Sequence, residues 1–301
     1  MLLSEFVKSG TSDLESLYSA SEARSIVLML CSEVLGTQNY TYVVDPEYKV
    51  DEKKLPILRG YMSRLMQGEP IQYVLSKADF MGNVFKVTKD VLIPRQETEL
   101  LCTEAIKVAS RIERMRSPYG KDAKPVTVLD LCTGSGCIAW TLALSVKNCR
   151  VVGVDISDGA LEVAASQDFS AQLKSKEAVK PVFVKADILD TEQDFPYGPF
   201  DLILSNPPYI MESEKSEMRR NVLDYEPYAA LFVPDDDPLL FYRAIARWSQ
   251  HLLSPDGFGM TEVNETLARQ TETIFKGAGF GMTEIVKDLN DKNRFVVYRK
   301  V

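Results

Sequence analysis

The sequence predicts an α/β protein, a doubly wound and mostly parallel sheet closed by an antiparallel hairpin, with a small helical region before it. Three observations lead there. From residue 125 onward, short β-branched runs alternate with helical repeats, the pattern of parallel strands joined by crossover helices. A Gly134-x-Gly136 turn separates the first of these runs from a helix. The run at residues 201–205 stops at Asn206-Pro207-Pro208-Tyr209, where two prolines without N–H groups cannot continue a central strand.

Composition narrows the function. The chain has 301 residues, 45% hydrophobic and 26% charged, which is ordinary for a globular protein and long enough for two domains. A formal net charge of −8 disfavours sequence-independent nucleic-acid binding, so no direct nucleic-acid substrate is expected. Five cysteines (Cys31, Cys102, Cys132, Cys137, Cys149) include no C-x-x-C pair and read as the reduced thiols of a cytoplasmic protein. Residues 1–6 lack a signal-peptide pattern, and the apolar run at 26–31 is too short to span a bilayer, so no membrane partner is expected. The single histidine, His251, argues against a histidine-ligated metal site and leaves a serine–histidine pair without a good candidate.

Residues 1–70 read as a helical domain. Capping-type Ser12-Asp13 and Ser21-Glu22 precede Ile26, Leu28, Met29, Val34 and Leu35 at helical spacing. Residues 51–66 repeat the pattern with Leu55, Leu58, Tyr61, Met62 and Leu65, and Gly68-Glu69-Pro70 stops it. Residues 71–75 and 84–87 alternate like strands around Met81-Gly82-Asn83, predicting a hairpin linker over 71–94. Val91-Leu92-Ile93-Pro94-Arg95-Gln96-Glu97-Thr98-Glu99 then reads as a strand end, a proline and the start of a helix to about Met115; Arg95 and Glu97 form an ion pair or shape a pocket. This opens the third region, residues 95–301. Six basic residues (Lys107, Arg111, Arg114, Arg116, Lys121, Lys124) against Glu113 and Asp122 make a solvated helix face, or a contact for an acidic or RNA-associated partner. Strands follow at 126–131, 150–155, 182–186, 201–205 and 257–263, helices at 137–146, 158–174, 239–253 and 266–278, and a closing hairpin at 282–287 and 294–298.

The glycine turn lets backbone approach a ligand closely at a helix N-terminus. Gly134-x-Gly136-x-x-Ala139, with Asp155 at the next strand end placed to grip a ribose diol, fits any adenosine-bearing ligand, nicotinamide dinucleotides included. Asp130 favours a methionine-bearing ligand, because a carboxylate before the turn suits an ammonium better than a pyrophosphate. Asp187, closing the third strand, stands where an adenine amino group would lie. The Asn206-Pro207-Pro208-Tyr209 corner offers carbonyl oxygens to an N–H₂ group and a ring to pack on it, which points to chemistry on an amide or amine nitrogen.

The chain resembles the HemK/PrmC family of protein-(glutamine-N5) methyltransferases, which modify the Gly-Gly-Gln loop of class-1 peptide chain release factors. The carrying motifs are Gly68-Glu69-Pro70-Ile71-Gln72-Tyr73, residues 91–99, Asp130-Leu131-Cys132-Thr133-Gly134-Ser135-Gly136-Cys137-Ile138-Ala139, Asn206-Pro207-Pro208-Tyr209-Ile210 and Tyr225-Glu226-Pro227. The resemblance implies the class I S-adenosylmethionine-dependent methyltransferase fold with a seven-stranded sheet, an N-terminal substrate-recognition domain and a monomeric, cytoplasmic enzyme. Its S-adenosyl-L-methionine site falls on Asp130, Cys132, Thr133, Gly134, Ser135, Gly136, Asp155, Asp187, Ile188 and Asn206. Its glutamine site falls on Asn206, Pro207, Pro208 and Tyr209, with Arg95 beside it, and Asn206, Pro207 and Tyr209 carry the catalysis. Two positions depart from the family pattern: Cys132 stands where glycine is usual, and Glu262-Val263-Asn264 stands where Glu-x-Gly is common. Other targets consistent with the corner are a ribosomal-protein glutamine and adenine N6 in DNA. A non-catalytic adenosine-binding protein is a further class, against which the intact Asn206-Pro207-Pro208-Tyr209 argues.

Overall fold

The computed structural model describes residues 1–300, apart from the side chains at positions 119, 121 and 122. Its helices are α1 (Leu3–Leu14), α2 (Ala20–Leu35), α3 (Thr41–Val44), α4 (Leu55–Met66), α5 (Ile71–Leu75), α6 (Gln96–Arg116), α7 (Cys137–Ser145), α8 (Asp158–Ala165), α9 (Ser170–Lys176), α10 (Arg220–Tyr225), α11 (Leu240–Leu252) and α12 (Ala268–Gly277). Its strands are β1 (Lys77–Phe80), β2 (Asn83–Lys86), β3 (Val126–Leu131), β4 (Cys149–Asp155), β5 (Val182–Lys185), β6 (Phe200–Ser205), β7 (Ile210–Met211), β8 (Phe232–Val233), β9 (Leu253–Glu262), β10 (Met282–Lys287) and β11 (Asn293–Arg299). They form two compact units, one of Met1–Lys77 with Met218–Tyr225, the other of Ala78–Glu217 with Glu226–Val301.

The smaller unit is helical. Leu3, Phe6, Leu14, Val27, Leu30, Leu58 and Leu65 recur at helical spacing and meet in one apolar core. Ser19, rather than the expected Ser21, caps α2 by accepting the Glu22 N–H at 3.3 Å, and Gly36 ends it in the left-handed region at φ 75°. Residues 71–75 correct the expectation of a strand, since they form α5. Pro70 at the cap favours a helical start, and the Arg64 guanidinium donates to the Tyr73 and Val74 carbonyls, both at 3.2 Å. These lie in the last turn, where a short helix runs out of its own donors, and Arg64 adds to the bond that the Tyr73 carbonyl takes from the Ser76 N–H at 3.2 Å. Arg64 is itself held by Glu69 at 2.7 and 2.8 Å. The hairpin therefore begins later, at β1.

In the larger unit the sheet order is β10-β11-β9-β6-β3-β4-β5. The five strands β5-β4-β3-β6-β9 are parallel, and β11 and β10 close the edge antiparallel. Alternate residues of each central strand enter opposite cores: Val128, Leu202 and Leu204 pack with α6 and α7, whereas Leu129, Leu131 and Ile203 pack with α11 and α12. Burial on both faces explains the near-continuous apolar runs. The predicted single helix at 158–174 is two, α8 and α9. The chain breaks where the Gln167 side chain turns inward to bond the Lys86 N–H and carbonyl and the Ser135 carbonyl, and Phe169 packs on Phe85 and Trp140.

The basic stretch is partly structural. Arg116 grips Asp201 with two bonds of 2.7 and 2.8 Å, which fixes the start of β6. Burial alone would raise the Asp201 carboxyl, but Arg116 and the Thr127 N–H more than reverse it and hold it below its ordinary value. Lys107 pairs with Glu104 on the exposed helix face, and the side chain of Lys121 lies outside the described residues.

Tyr298, fully buried and stacked on Phe275 at 3.9 Å, lies across Gly259, its partner in the β11–β9 register. A methyl group at 259 would fall inside that ring. Gly259→Ala is expected to lower the unfolding free energy by about 1–3 kcal/mol in urea titrations, as overpacking does. Wild-type stability would contradict this packing.

Candidate active site

The strand register builds the site. Leu131 pairs with Ser205 and Ser205 with Thr261, so Cys132, Asn206 and Glu262 follow side by side at the carboxyl edge of β3, β6 and β9. From β3 the chain runs outward to β4 and β5, and β6 and β9 then add on the other side. The β3–β6 junction is thus the switch point where open α/β sheets take ligands. A cavity of about 310 Å³ opens there.

One wall is the β3–α7 turn and the ends of β4 and β5. Cys132, Thr133, Gly134 and Ser135 line it, as do Asp155 and the Asp187–Ile188 corner. Cys132, Gly134 and Gly136 all have positive φ, at 62°, 53° and 78°. A Cβ on Gly136 would press on Ala164 and Phe183 at 3.0 Å, so this position requires glycine for space as well as conformation. Cys132 takes the left-handed conformation despite its Cβ, at a cost of about 1–2 kcal/mol. Asp155 accepts the Gly134 N–H at 2.9 Å and the Ser157 N–H at 3.0 Å, one on each carboxylate oxygen. Burial nevertheless raises its carboxyl above the ordinary value.

Asp130 lies beneath the turn and does not line the cavity. Its Oδ2 accepts the Thr133 hydroxyl at 2.5 Å and the Ala139 N–H at 3.2 Å, pinning turn to helix. Its Oδ1, fully buried, has no partner among the described residues. Burial pushes this carboxyl up to about 7, despite the opposing bonds from Thr133 and Ala139.

The facing wall holds the second set of residues. Asn206 and Pro208 line the cavity, while Pro207 is buried and Tyr209 packs into the core on the α11 side. The Asn206 Nδ2 donates to Thr98 Oγ1 at 3.0 Å, the Thr98 hydroxyl donates to Glu262 Oε2 at 2.8 Å, and the Tyr209 hydroxyl donates to Glu262 Oε1 at 3.0 Å. A carboxylate only accepts, so Thr98 must give it its one proton and take the Asn206 amide on a lone pair. That fixes which end of the Asn206 amide is nitrogen. Its Oδ1 is left without a protein donor among the described residues. Burial raises the Glu262 carboxyl, while Thr98, Tyr209 and the charge of Arg294 pull it back. Burial, with Glu262 adjacent, drives the Tyr209 phenol well above its ordinary value, so it remains a donor.

Arg95 lines the cavity but does not pair with Glu97. Its partner is Glu226, at 2.6 Å, whose other oxygen accepts the Ile93 N–H at 3.2 Å. The segment 91–95 is thereby fixed to Pro227, Ala229 and Ala230, which line the same cavity. Thr98, which lines the cavity, and Glu226 and Glu262, which hold residues that line it, carry no spacing pattern in the sequence that would single them out. A charged Glu262 closing the apolar end of β9 is the available signal.

A seven-stranded sheet of this order, with a glycine turn after β3 and an Asn-Pro-Pro-Tyr corner after β6, defines a class I methyltransferase. Residues 122–247 match the family model described as a methyltransferase domain, and residues 5–75 the one described as a PrmC N-terminal domain. The chain is 33% identical over 285 residues to a release factor glutamine methyltransferase of Bacteroides thetaiotaomicron, covering 94% of this chain and 95% of that protein. It is 34% identical over 296 residues to one of Flavobacterium psychrophilum, covering 98% of each. Among solved structures, the hMettl16 catalytic domain in complex with MAT2A 3′UTR hairpin 6 aligns with a TM-score of 0.51 at 12% identity, over 72% of this chain and 75% of that one, a likeness of fold alone. The chain belongs to the release factor glutamine methyltransferase family.

Because the folded Asp130 carboxyl lies above its ordinary 3.8, its favourable contribution to stability is complete below that pH and is lost as pH rises through about 7. Asp130→Asn should therefore be more stable than wild type near pH 8, by up to about 4 kcal/mol, with the gap closing toward about pH 4. Parallel denaturation curves with pH check this, and a pH-independent difference would refute it.

Proposed function

We propose that this enzyme methylates the N5 side-chain amide of the glutamine in the Gly-Gly-Gln loop of a class-1 peptide chain release factor, using S-adenosyl-L-methionine. The observation that carries the reading is the fixed polarity of Asn206, which presents an oxygen, not a nitrogen, to the cavity. An N–H₂ group is what such an oxygen recognises.

The residues present fit the methyl donor. The turn at Cys132 to Ser135 brings backbone to the cavity, and its positive-φ positions keep a close approach open. Each Asp155 oxygen, already holding one N–H, retains a lone pair for a ribose hydroxyl. Asp187 and Ile188 line the far end, where an adenine would rest, and the Arg247 guanidinium braces the Ile188 carbonyl at 2.8 Å. Asp130 acts from beneath, holding Thr133 and Ala139 in place. When bound, S-adenosyl-L-methionine supplies an electrophilic methyl group on its sulfonium.

Asn206 Oδ1 accepts one N–H of the acceptor amide and, although Pro207 does not itself line the cavity, its carbonyl is assigned the other, so that the two fix the direction of the amide nitrogen. An amide nitrogen is a weak nucleophile because its lone pair is delocalised. Orientation must supply much of the acceleration, and well-aligned reactants gain roughly 7–11 kcal/mol in this way. Tyr209 anchors the corner from the core through Glu262, and Arg95, fixed by Glu226, shapes the cavity edge. No strong base is needed, since an amide nitrogen that has gained a methyl group is acidic enough to lose its proton to water.

The test is to offer labelled methyl donor with release factor, ribosomal protein or duplex DNA in turn. Label is expected on the release factor, and Asn206→Ala should cut turnover by about 10²–10³-fold with folding intact, the usual loss for an oriented polar contact. Label on the ribosomal protein or DNA instead, or near wild-type turnover by Asn206→Ala, would overturn the reading.

A further inference from the structure

Asn264 stands where the family pattern commonly places glycine, yet its φ of −59° and ψ of 130° need no glycine. Only 6% exposed, its side chain is fully engaged. Its N–H donates to the Tyr242 hydroxyl at 3.1 Å, and its Oδ1 accepts the Thr266 N–H at 3.0 Å and hydroxyl at 2.8 Å. Its Nδ2 donates to the Tyr209 backbone carbonyl at 3.3 Å and to Glu214 at 3.0 and 3.3 Å. Glu214 in turn accepts the Met211 N–H at 2.7 Å. One carboxamide and one carboxylate thus hold the backbone on both sides of Ile210, directly after the Asn206–Tyr209 corner.

We propose that Asn264, acting through Glu214, is a positioning residue for the acceptor corner. The pair fixes the Tyr209 carbonyl and the Met211 N–H, and the stiff Pro207-Pro208 turn transmits that hold to the two oxygens that meet the acceptor amide. Neither residue lines the cavity, so the effect is on alignment and not on contact. Glycine at 264 could keep only the backbone bonds, to the Tyr242 hydroxyl and from the Leu267 N–H, and none of those that reach the corner. Carboxylate acceptors make such bonds about twice as strong as neutral ones, which favours Glu214 as the anchor. The inference rests on the reading that this corner seats the acceptor amide.

Asn264→Asp separates a clamp from a helix cap. It keeps an oxygen for Thr266 but loses the Nδ2 donor and sets a carboxylate against Glu214. Steady-state methylation of a release factor should show kcat reduced about tenfold or more, with KM and methyl-donor Kd within about twofold of wild type. Adding Glu214→Gln should recover a large part of the loss, because the glutamine can donate to the introduced carboxylate while its oxygen keeps the Met211 N–H. Wild-type kcat in Asn264→Asp would overturn the proposal, as would a loss matched by weaker donor binding and lower Tm that the second substitution does not restore. If the wild-type enzyme leaves the release factor unmodified, the reading of the corner itself fails, and the clamp with it.

Discussion

The buried carboxylate of Glu262 sets the direction of the hydrogen bonds at the Asn206–Tyr209 corner. It can only accept, so the Thr98 and Tyr209 hydroxyls both point their protons at it, and Asn206 must meet Thr98 with its nitrogen. From one charge at the end of one strand follows the chemical identity of the atom that faces the cavity. Burying that charge is costly, and the two hydroxyl donors and the nearby Arg294 offset the cost. The carboxylate is placed by register, since the row Leu131, Ser205, Thr261 sets Glu262 beside Asn206 and Cys132.

The two halves of the site are built differently. The wall proposed for the methyl donor is mostly backbone: a turn with positive φ at three positions, an aspartate that receives two N–H groups, and a second aspartate clamping turn to helix from below. The wall proposed for the acceptor is mostly side chain, a chain of hydrogen bonds drawn from α6, the corner after β6 and the end of β9. Backbone suits a ligand whose shape is constant. A directional side-chain network suits a weak nucleophile, whose reactivity depends on angle more than on affinity.

Much of the fold is legible in the sequence because its signals are local. Alternating strands and helices, the glycine turn and the proline corner each declare themselves within a few residues, whereas the strand order comes from the structure. What cannot be read there depends on distant partners. Residues 71–75 have strand-like alternation, and it takes Arg64 in another helix to make them helical. Thr98 and Glu262 are 164 positions apart, and Asn206 and Thr98 are 108 apart, so no spacing rule connects them. Arg95 is legible as a pocket residue, but its partner is Glu226, 131 positions away, and not the neighbouring Glu97. Asp130 reads in the sequence as a ligand-facing carboxylate, yet in the structure it lies under the turn and bonds Thr133 and Ala139.

Replacing Glu262 by glutamine tests the account most directly. Glutamine has the same shape but one acceptor and one donor, so Thr98 or Tyr209 must turn its proton away, and the Asn206 amide loses its enforced orientation. The expected result is a fall of about 100-fold in kcat for glutamine methylation, with methyl-donor Kd close to wild type. A Glu262→Gln enzyme that turns over at the wild-type rate would contradict it.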